Sequence, residues 1–288
     1  MKMLFRKLFL FLDILALSGA ALMHSGFPAP AHGAIIASES ALCMDAKTGE
    51  VLYGKAAHKT MYPASTTKVM TALLLIEYAN EHGWDERVYV SENAVRSIGP
   101  RASNIGLLPG DVLALDECLY AIMLASANEV CIAVAEHIAG SVETFAEMMN
   151  ERAWEIGALS TYFTNPTGLP DRNHVTTAYD IALIMIEAIK EEAFTAVIAA
   201  PGHTVFPRGP EEPNHIKNRN MLIQDGTYRR EYVVGGKTGY TSAAGHTLVN
   251  YAVMDGAELI CVVLRAPNFM TYPDTIALFE FGFSALHN

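Results

Sequence analysis

A serine and a lysine three positions apart, Ser65 and Lys68, form the pair in this chain best suited to chemistry. On a helix this spacing stacks both side chains on one face about one turn apart, so the amine can lie against the hydroxyl. A serine hydroxyl is a weak nucleophile and needs a base beside it. Lysine can act as that base where burial or a nearby cation lowers its pKa, and Lys237 is a candidate for the cation.

The sequence around this pair predicts the helix that the pair needs. Pro63 and Ala64 end an irregular stretch, and Ser65 or Thr66 can cap a helix. The run 69–78 is almost entirely apolar, and its length favours a buried helix over a strand. The N-terminus of such a helix points backbone N–H groups and positive dipole toward an anion that develops at the nucleophile.

A second polar element, Ser126 and Asn128, interrupts two apolar helical stretches at 115–124 and 130–138. Buried polar groups at such a break need hydrogen-bond partners. The Ser126 hydroxyl is a candidate proton relay between Lys68 and a leaving amine. The Asn128 amide is a candidate for holding both the lysine and a substrate carbonyl. Taken alone, the pattern is more typical of a helix cap.

The third element, Lys237, Thr238 and Gly239, lies in a segment that reads as a strand, 232–241. A glycine within a strand often marks a place where a ligand or another backbone comes close. A substrate peptide could lie alongside, and Lys237 and the Thr238 hydroxyl would then form a donor-rich pocket for a carboxylate. Alone, this element is also typical of a solvated lysine after a glycine turn. The three elements together favour catalysis.

The three elements resemble the S-x-x-K, S-x-N and K-T-G motifs of penicillin-recognising serine enzymes. After residue 33, nearly the whole chain is similar to low-molecular-weight penicillin-binding proteins of the D-alanyl-D-alanine carboxypeptidase family. The segments that carry the likeness are 61–72, 165–171, 176–180 and 235–241.

The resemblance implies a serine-type carboxypeptidase that removes the terminal D-alanine from peptidoglycan pentapeptides without a cofactor. Its partners would be a stem peptide ending in D-Ala-D-Ala and, as covalent inhibitors, β-lactam antibiotics. The implied residues are the catalytic set Ser65, Lys68, Ser126 and Asn128 and the substrate-binding set Lys237, Thr238, Gly239 and Tyr240. The backbone N–H groups of Ser65 and Tyr240 would form the oxyanion hole.

The chain departs from the family pattern at three places. Ala127 stands where many relatives have glycine, and Glu129 stands where aspartate is common, but neither change removes a functional atom. Relatives often carry an arginine after the final strand that supports carboxylate recognition, and the stretch 268–272 contains none. Arg265 is the nearest candidate to replace it.

The first 33 residues have the composition of a secretory signal peptide. Three basic residues precede a mostly apolar run at 8–22, and small residues follow around 29–34. A membrane-spanning anchor is the alternative, although the run falls short of about twenty uninterrupted apolar residues. Residues 34–288 are then expected to form one catalytic domain without the C-terminal β domain and membrane anchor that relatives commonly add. The expected location is the cell envelope or the extracellular space.

The composition suits one acidic domain with a sizeable core. Hydrophobic residues make up 51% of the 288 residues, and the net charge is −11 at pH 7. This charge argues against nucleic acid as a partner. Cys43, Cys118, Cys131 and Cys261 lie in apolar runs, so we expect all four to be free and buried. No cysteine or histidine spacing resembles a zinc site.

The predicted fold class is α/β and β-lactamase/transpeptidase-like, an antiparallel sheet flanked by helices plus a helical lobe, with the active site between them. Strands are expected at 40–45, 51–55, 233–241, 247–254 and 259–264, the last two joined by a tight turn at Asp255-Gly256. Helices are expected from residues 65, 115 and 128 and at 142–156, 177–198 and 274–286.

Two other functions stay open at this point. A class A β-lactamase shares the motifs, but it uses a glutamate-held water for deacylation, and the Glu-x-x-Leu-Asn segment that this resemblance requires is absent. An inactive wall-binding or antibiotic-binding homologue is the other alternative, and the intact Ser65, Lys68, Asn128 and Lys237 argue against it. Whether water or an amine receives the acyl group is undecided by the sequence.

Overall fold

A computed structural model describes residues 35–268 and 270–287, so the predicted signal peptide lies outside the described residues. Within these ranges the strands are β1 (Ser40–Asp45), β2 (Val51–Lys55), β3 (Arg87–Tyr89), β4 (Val112–Ala114), β5 (Gly202–Val205), β6 (Asn214–Lys217), β7 (Val233–Thr241), β8 (Gly245–Met254) and β9 (Ala257–Ala266). Five of them form one antiparallel sheet in the order β2-β1-β9-β8-β7, which leaves β7 at an edge.

The helices lie on both faces of this sheet. They are α1 (Lys68–His82), α2 (Glu92–Arg96), α3 (Leu115–Tyr120), α4 (Asn128–Ala139), α5 (Val142–Ile156), α6 (Ala178–Ala188), α7 (Glu192–Ala199) and α8 (Thr271–Leu286). A 3₁₀ turn, Ala64–Thr67, leads into α1, and a π-helical turn, Ala121–Ala125, follows α3.

Alternation along the strands explains why the sheet is covered on both faces. Successive strand side chains point to opposite faces, and in β1 Ala41 and Cys43 pack with α8 while Leu42 and Met44 pack with the helical lobe. Helix α1 is buried along most of its length, as an apolar helix at the centre of a lobe must be. At the junction of lobe and sheet, the 3₁₀ turn that precedes α1 lies against β7.

The structure confirms the predicted fold class and most of the predicted elements. The turn between β8 and β9 has positive φ at both Asp255 (51°) and Gly256 (80°), as a type I′ hairpin requires. The single helix predicted over 177–198 is wrong, because the chain is extended at Glu191 (ψ 118°) and α6 and α7 are separate. The break directs α7 toward β7, where the Ile198 carbonyl lies against Gly235.

All four cysteines are free and buried, which confirms the prediction for them. Cys43 and Cys261 lie directly opposite each other on β1 and β9. In the part of the chain that is described, the helices are too short or too polar to cross a lipid bilayer.

Candidate active site

Ser65 lies in the 3₁₀ turn that precedes α1, whereas the sequence suggested that it caps the α-helix itself. The reason is local, because the Thr66 hydroxyl donates to the carbonyl of Pro63 at 2.7 Å and closes a tighter turn. A 3₁₀ turn has three residues, so side chains three apart are eclipsed. The Lys68 amine accordingly donates to the Ser65 hydroxyl at 3.2 Å.

A loop from the helical lobe fixes the shape of this turn. Gly168 has φ +78°, and a Cβ at that position would lie within 1.9 Å of the Ala64 carbonyl oxygen. The Asn165 side chain organises the loop by accepting hydrogen bonds from the backbone N–H groups of Thr167 and Gly168. Only glycine allows this contact, so the loop can bring the Thr167 carbonyl to the Lys68 amine.

Lys68 is completely buried, and its amine contacts only neutral acceptors. Besides Ser65 it donates to Asn128 Oδ1 at 2.7 Å and to the carbonyl of Thr167 at 2.5 Å. Burial is the largest influence on Lys68 and lowers its pKa; Cys131 and Glu129 nearby act in the opposite direction, and the positive charge of Arg219 lowers the pKa again. The net shift favours the neutral amine, which is the form that can take a proton from serine.

The π-helical turn ends at Ser126, which lines the same cleft as Ser65. Ser126 has left-handed backbone angles (φ 60°, ψ 35°), and its hydroxyl makes no hydrogen bond to any described residue although it is buried. Asn128 begins α4, and its Nδ2 donates to the carbonyl of Ser103 at 2.8 Å. The Asn128 amide therefore links the Lys68 amine to the loop that contains Ser103.

β7 closes the site from the sheet side. Lys237 is 1% exposed and donates to the carbonyl of Thr238 at 2.9 Å. Burial, the charge of Lys68 and the charge of Arg219 together hold its pKa well below the ordinary value. Gly239 brings β7 close to the serine turn, since a Cβ there would lie 2.8 Å from the Ser65 backbone nitrogen.

A cleft of about 840 Å³ runs between these elements. Six of the eight predicted site residues line it: Ser65, Ser126, Asn128, Thr238, Gly239 and Tyr240. The other two, Lys68 and Lys237, are buried. Tyr240 is 61% exposed, and its ring packs against His246 at a centroid distance of 4.6 Å. The residues are distant along the chain, and the fold gathers them around one opening.

Comparison with known proteins agrees with this geometry. A family model described as D-alanyl-D-alanine carboxypeptidase, peptidase S11, matches residues 28–268. The chain belongs to this family. The crystal structure of the Streptomyces K15 DD-transpeptidase superposes with a TM-score of 0.80 at 26% identity, covering 90% of this chain and all of that one.

Two curated members of the family are similar to most of the chain. The D-alanyl-D-alanine carboxypeptidase DacF of Bacillus subtilis is 35% identical over 80% of the chain, and DacA of Haemophilus influenzae is 32% identical over 81%. The aligned parts make up 57% and 58% of those two proteins. The chain thus spans less than two thirds of the length of these relatives.

The arginine that many family members carry after the final strand is not replaced by Arg265. That residue pairs with Glu39 at 3.2 Å and lines a separate pocket beside Lys59 and Tyr62. The prediction that it is the nearest substitute is therefore wrong, because β9 ends with this side chain directed toward Glu39 and not toward the cleft. Arg219, from the connection between β6 and β7, lines the cleft instead.

Sequence reasoning missed several groups that the structure brings to the site. Thr167 contributes only a backbone carbonyl, and Ser103 lies in a loop without a recognisable pattern. Arg219 lies between two asparagines, a short polar run that is a usable signal in retrospect. His174 is 1% exposed, and its Nε2 lies 2.8 Å from the hydroxyl of Thr67, the residue before Lys68.

Proposed function

We propose that the protein is a serine-type D-Ala-D-Ala carboxypeptidase that cleaves the terminal D-alanine from peptidoglycan stem peptides through an acyl-enzyme. The observation that carries this proposal is the position of the Lys68 amine, buried and shared among Ser65, Asn128 and Thr167. Membership of the D-alanyl-D-alanine carboxypeptidase family supports the substrate class. β-Lactams, which acylate such a serine, are the expected inhibitors.

Acylation begins when the Ser65 hydroxyl transfers its proton to the neutral amine of Lys68. The Ser65 oxygen then bonds to the carbonyl carbon of the penultimate D-alanine, and the carbonyl oxygen becomes an anion. The backbone N–H groups of Ser65 and Tyr240 are the proposed donors to this anion. The narrow gap between lobe and sheet at Gly239 supports a site between these two groups.

The acyl-enzyme forms when the peptide C–N bond breaks. The proton held by Lys68 passes through the Ser126 hydroxyl to the departing amine of D-alanine. The unpartnered state of that hydroxyl in the free protein supports this role, since a buried group without a partner is available to a substrate. Asn128 positions the base and the substrate carbonyl, while Lys237 and Thr238 offer donors to the carboxylate.

Water completes the cycle by attacking the ester, and Lys68 again takes the proton. The products are the shortened peptide and a regenerated Ser65 hydroxyl. The K15 transpeptidase that shares the fold is named for transfer to an amine. Release of D-alanine with and without an added acceptor amine, followed by mass spectrometry of the peptide products, distinguishes hydrolysis from transfer.

The test is a Ser65→Ala variant assayed for release of D-alanine from a pentapeptide and for covalent binding of a labelled penicillin. We expect the rate to fall by at least about 10²-fold and the labelled band to disappear. Ser97→Ala is the matched control, because Ser97 is an exposed serine at the end of α2 and should keep both activities. A Ser65→Ala protein that still forms the covalent adduct contradicts the proposal.

We also propose that residues 1–33 direct export and that residues 34–288 are the catalytic domain, so that the enzyme acts at the cell envelope or outside the cell. The composition of the leader and the cell-wall substrate class support this location. The intact mass of the protein recovered from culture medium and from the envelope fraction tests it. Removal of about the first 31–33 residues is the expected result, and a protein retained at full length in the cytosol contradicts it.

A further inference from the structure

Cys43 and Cys261 form a pair of thiols that the proposed chemistry does not use. They lie directly opposite each other on the neighbouring strands β1 and β9. Residues directly opposite in a sheet point to the same face, and both cysteines belong to the apolar cluster between the sheet and α8. Both side chains are free and 0% exposed. The register of the central sheet therefore holds two buried thiols side by side.

The backbone hydrogen bonds place this pair at the narrower of the two spacings in an antiparallel ladder. The Ala46 N–H donates to the Glu258 carbonyl on the β9 side at 2.8 Å, whereas the Asp45 N–H donates toward β2 at 2.9 Å. N–H groups alternate between the two neighbours of a strand, so the Cys43 N–H also points toward β2. Cys43 and Cys261 are thus a non-hydrogen-bonded pair, with Cα atoms about 4.5 Å apart, where a disulfide can bridge about 4.4–6.8 Å.

Helix α8 closes the space above the two sulfur atoms with backbone alone. Gly282 lies at this point of the helix, and a Cβ there would lie 2.6 Å from Cys43 Sγ and 2.7 Å from Leu259 Cδ1. Only glycine lets the helix approach the strands this closely. No side chain at position 282 therefore enters the space that the two sulfur atoms share.

Burial determines when the two thiols can react. It raises the pKa of the Cys261 thiol well above its ordinary value, and contact with Cys43 raises that pKa further. The thiolate is the nucleophile in disulfide exchange, so the pair is unreactive while α8 covers it. Reaction requires that the sulfur atoms be exposed, which happens while the chain folds or when α8 separates from the sheet.

We propose that Cys43 and Cys261 form a disulfide when the chain folds in an oxidising medium, and that this link stabilises the sheet that carries the active site. The inference depends on the sheet register and is independent of the proposed carboxypeptidase activity. β9 pairs with β8, and β8 pairs with β7, which lines the cleft. The link closes a loop of about 220 residues, so it strongly restricts the unfolded chain.

The oxidant is a small disulfide such as oxidised glutathione. One cysteine thiolate attacks a glutathione sulfur, which breaks the glutathione S–S bond, forms a mixed disulfide and releases one glutathione thiolate. The second cysteine thiolate attacks the protein sulfur of the mixed disulfide and displaces the second glutathione thiolate. Two electrons pass from the cysteine pair to glutathione, and the two cysteine protons are taken up by the released thiolates.

The experiment follows the four thiols of the full chain by alkylation in denaturant and peptide mass spectrometry. After reduction in urea and refolding with excess oxidised glutathione, we expect a peptide pair linked through Cys43 and Cys261, about 2 Da lighter than the two free peptides. Cys118 and Cys131, which are buried on α3 and α4, should be alkylated.

Two further measurements compare the linked and the reduced protein. Folded, reduced protein in the same glutathione buffer should form the link at least about 10-fold more slowly than refolding protein, because both thiols are covered. The linked protein should melt at least about 5 °C higher than the reduced protein. Cys43→Ala should abolish the effect of the oxidant on the melting temperature. Cys118→Ala is the matched control, since it removes a buried thiol outside the pair and should keep the effect.

Four alkylated cysteines after refolding with oxidised glutathione would overturn the proposal. A link between other cysteines, or a mixed disulfide that does not proceed to the link, would overturn it as well. Equal melting temperatures of the linked and reduced protein would show that the link does not stabilise the sheet. If the chain does not refold, folded wild type is incubated with oxidised glutathione in urea below the unfolding transition. The link should then form faster as urea increases, and thiols that stay free at every concentration would contradict the proposal.

Discussion

Two buried ionisable side chains, Asp274 and Lys68, show opposite ways of treating charge in this molecule. Asp274 is 2% exposed, and its carboxylate accepts from the N–H groups of Ala37 and Ser38 and from the Ser38 hydroxyl at 2.5–3.1 Å. Lys68 is 0% exposed and donates to three oxygen atoms that carry no charge. Both side chains are buried, but their hydrogen-bond partners differ.

The difference separates a buried group that holds the fold from one whose surroundings suit the proposed chemistry. The Asp274 carboxylate accepts N–H and O–H bonds from Ala37 and Ser38, and these bonds attach the residues before β1 to α8. An amine among neutral acceptors is free to lose its proton, because nothing nearby stabilises the charged form enough to offset burial. Stability and reactivity are thus separated into different buried clusters, and this separation can be tested.

The largest effect is expected when the reactive amine is removed. Lys68→Met should slow acylation by a labelled penicillin by about 10³-fold, because the general base is lost. The melting temperature should stay the same or rise, since a buried amine without an anion contributes little to folding. Lys190→Met, at an exposed lysine paired with Glu187, should change neither quantity. If the Lys68→Met variant were acylated as fast as the wild type, the proposed role of Lys68 as the reactive amine would be wrong.

His174 offers the next effect, in the pH dependence of stability. Its Nδ1 accepts from the Thr164 N–H at 3.0 Å, and burial lowers the pKa of the ring to about 4. Below pH 6.5 the unfolded chain binds a proton at this histidine that the folded protein does not bind until about pH 4. The free energy of unfolding therefore decreases as the pH is lowered from 6.5 to about 4. The loss amounts to about 3 kcal/mol.

The measurement for His174 is denaturant unfolding of the wild type and of His174→Gln between pH 4 and 7. His174→Gln should lack the decrease in unfolding free energy that His174 causes between pH 6.5 and about 4. His82→Gln, at an exposed histidine, should keep this decrease. If the unfolding free energies of the wild type and of His174→Gln change equally with pH, the ring keeps its ordinary pKa in the folded protein, contrary to the prediction.

A smaller effect is expected at the structural carboxylate. Asp274→Asn places an NH₂ group among N–H donors, so one donor loses its acceptor, at a cost of about 2 kcal/mol in unfolding free energy. The acylation rate at a permissive temperature should be unchanged, because the cluster lies away from the cleft. Asp225→Asn, at a fully exposed aspartate, should change stability by less than about 0.5 kcal/mol. A large loss of the acylation rate in a folded Asp274→Asn protein would contradict the prediction that stability and acylation depend on different buried groups.

The smallest effect on stability concerns the left-handed conformation of Ser126. Ser126→Gly and Ser126→Ala both remove the proposed relay, so both should slow turnover by about 10²-fold. Glycine adopts φ 60° without the penalty that alanine meets, so the glycine variant should be more stable than the alanine variant by about 1 kcal/mol. Equal stability of the two variants would argue against strain at this turn.

Much of the fold was predictable because local patterns and packing agree. The bounds of β1, β2, β7 and α5 were predicted correctly, since their apolar patterns begin and end at turn or cap residues. The break before Glu191 was not predictable, because no glycine or proline marks it and packing of α7 on β7 decides it. Short strands such as β3 have too few residues for a pattern.

The candidate site divides in the same way. Side chains that act through their own chemistry, such as Ser65 and Lys68, have motif spacing, so the sequence indicates them. Thr167 contributes a carbonyl, which every residue has, and Arg219 reaches the cleft only through the path of a long connection. The error at Arg265 has the same origin, because proximity along the chain to a missing residue does not determine which surface a side chain faces.

The close approach at Gly239 couples the width of the cleft to the position of the Ser65 backbone amide, two features that protein design would vary separately. Any side chain there would place its Cβ 2.4 Å from the Thr247 hydroxyl and 2.8 Å from the Ser65 nitrogen. Widening the cleft at Gly239 would therefore displace the backbone amide of Ser65, while moving that amide would disturb the register of β7 on β8. The range of substrates is consequently easier to alter at exposed residues of the cleft, such as Tyr240, than at Gly239.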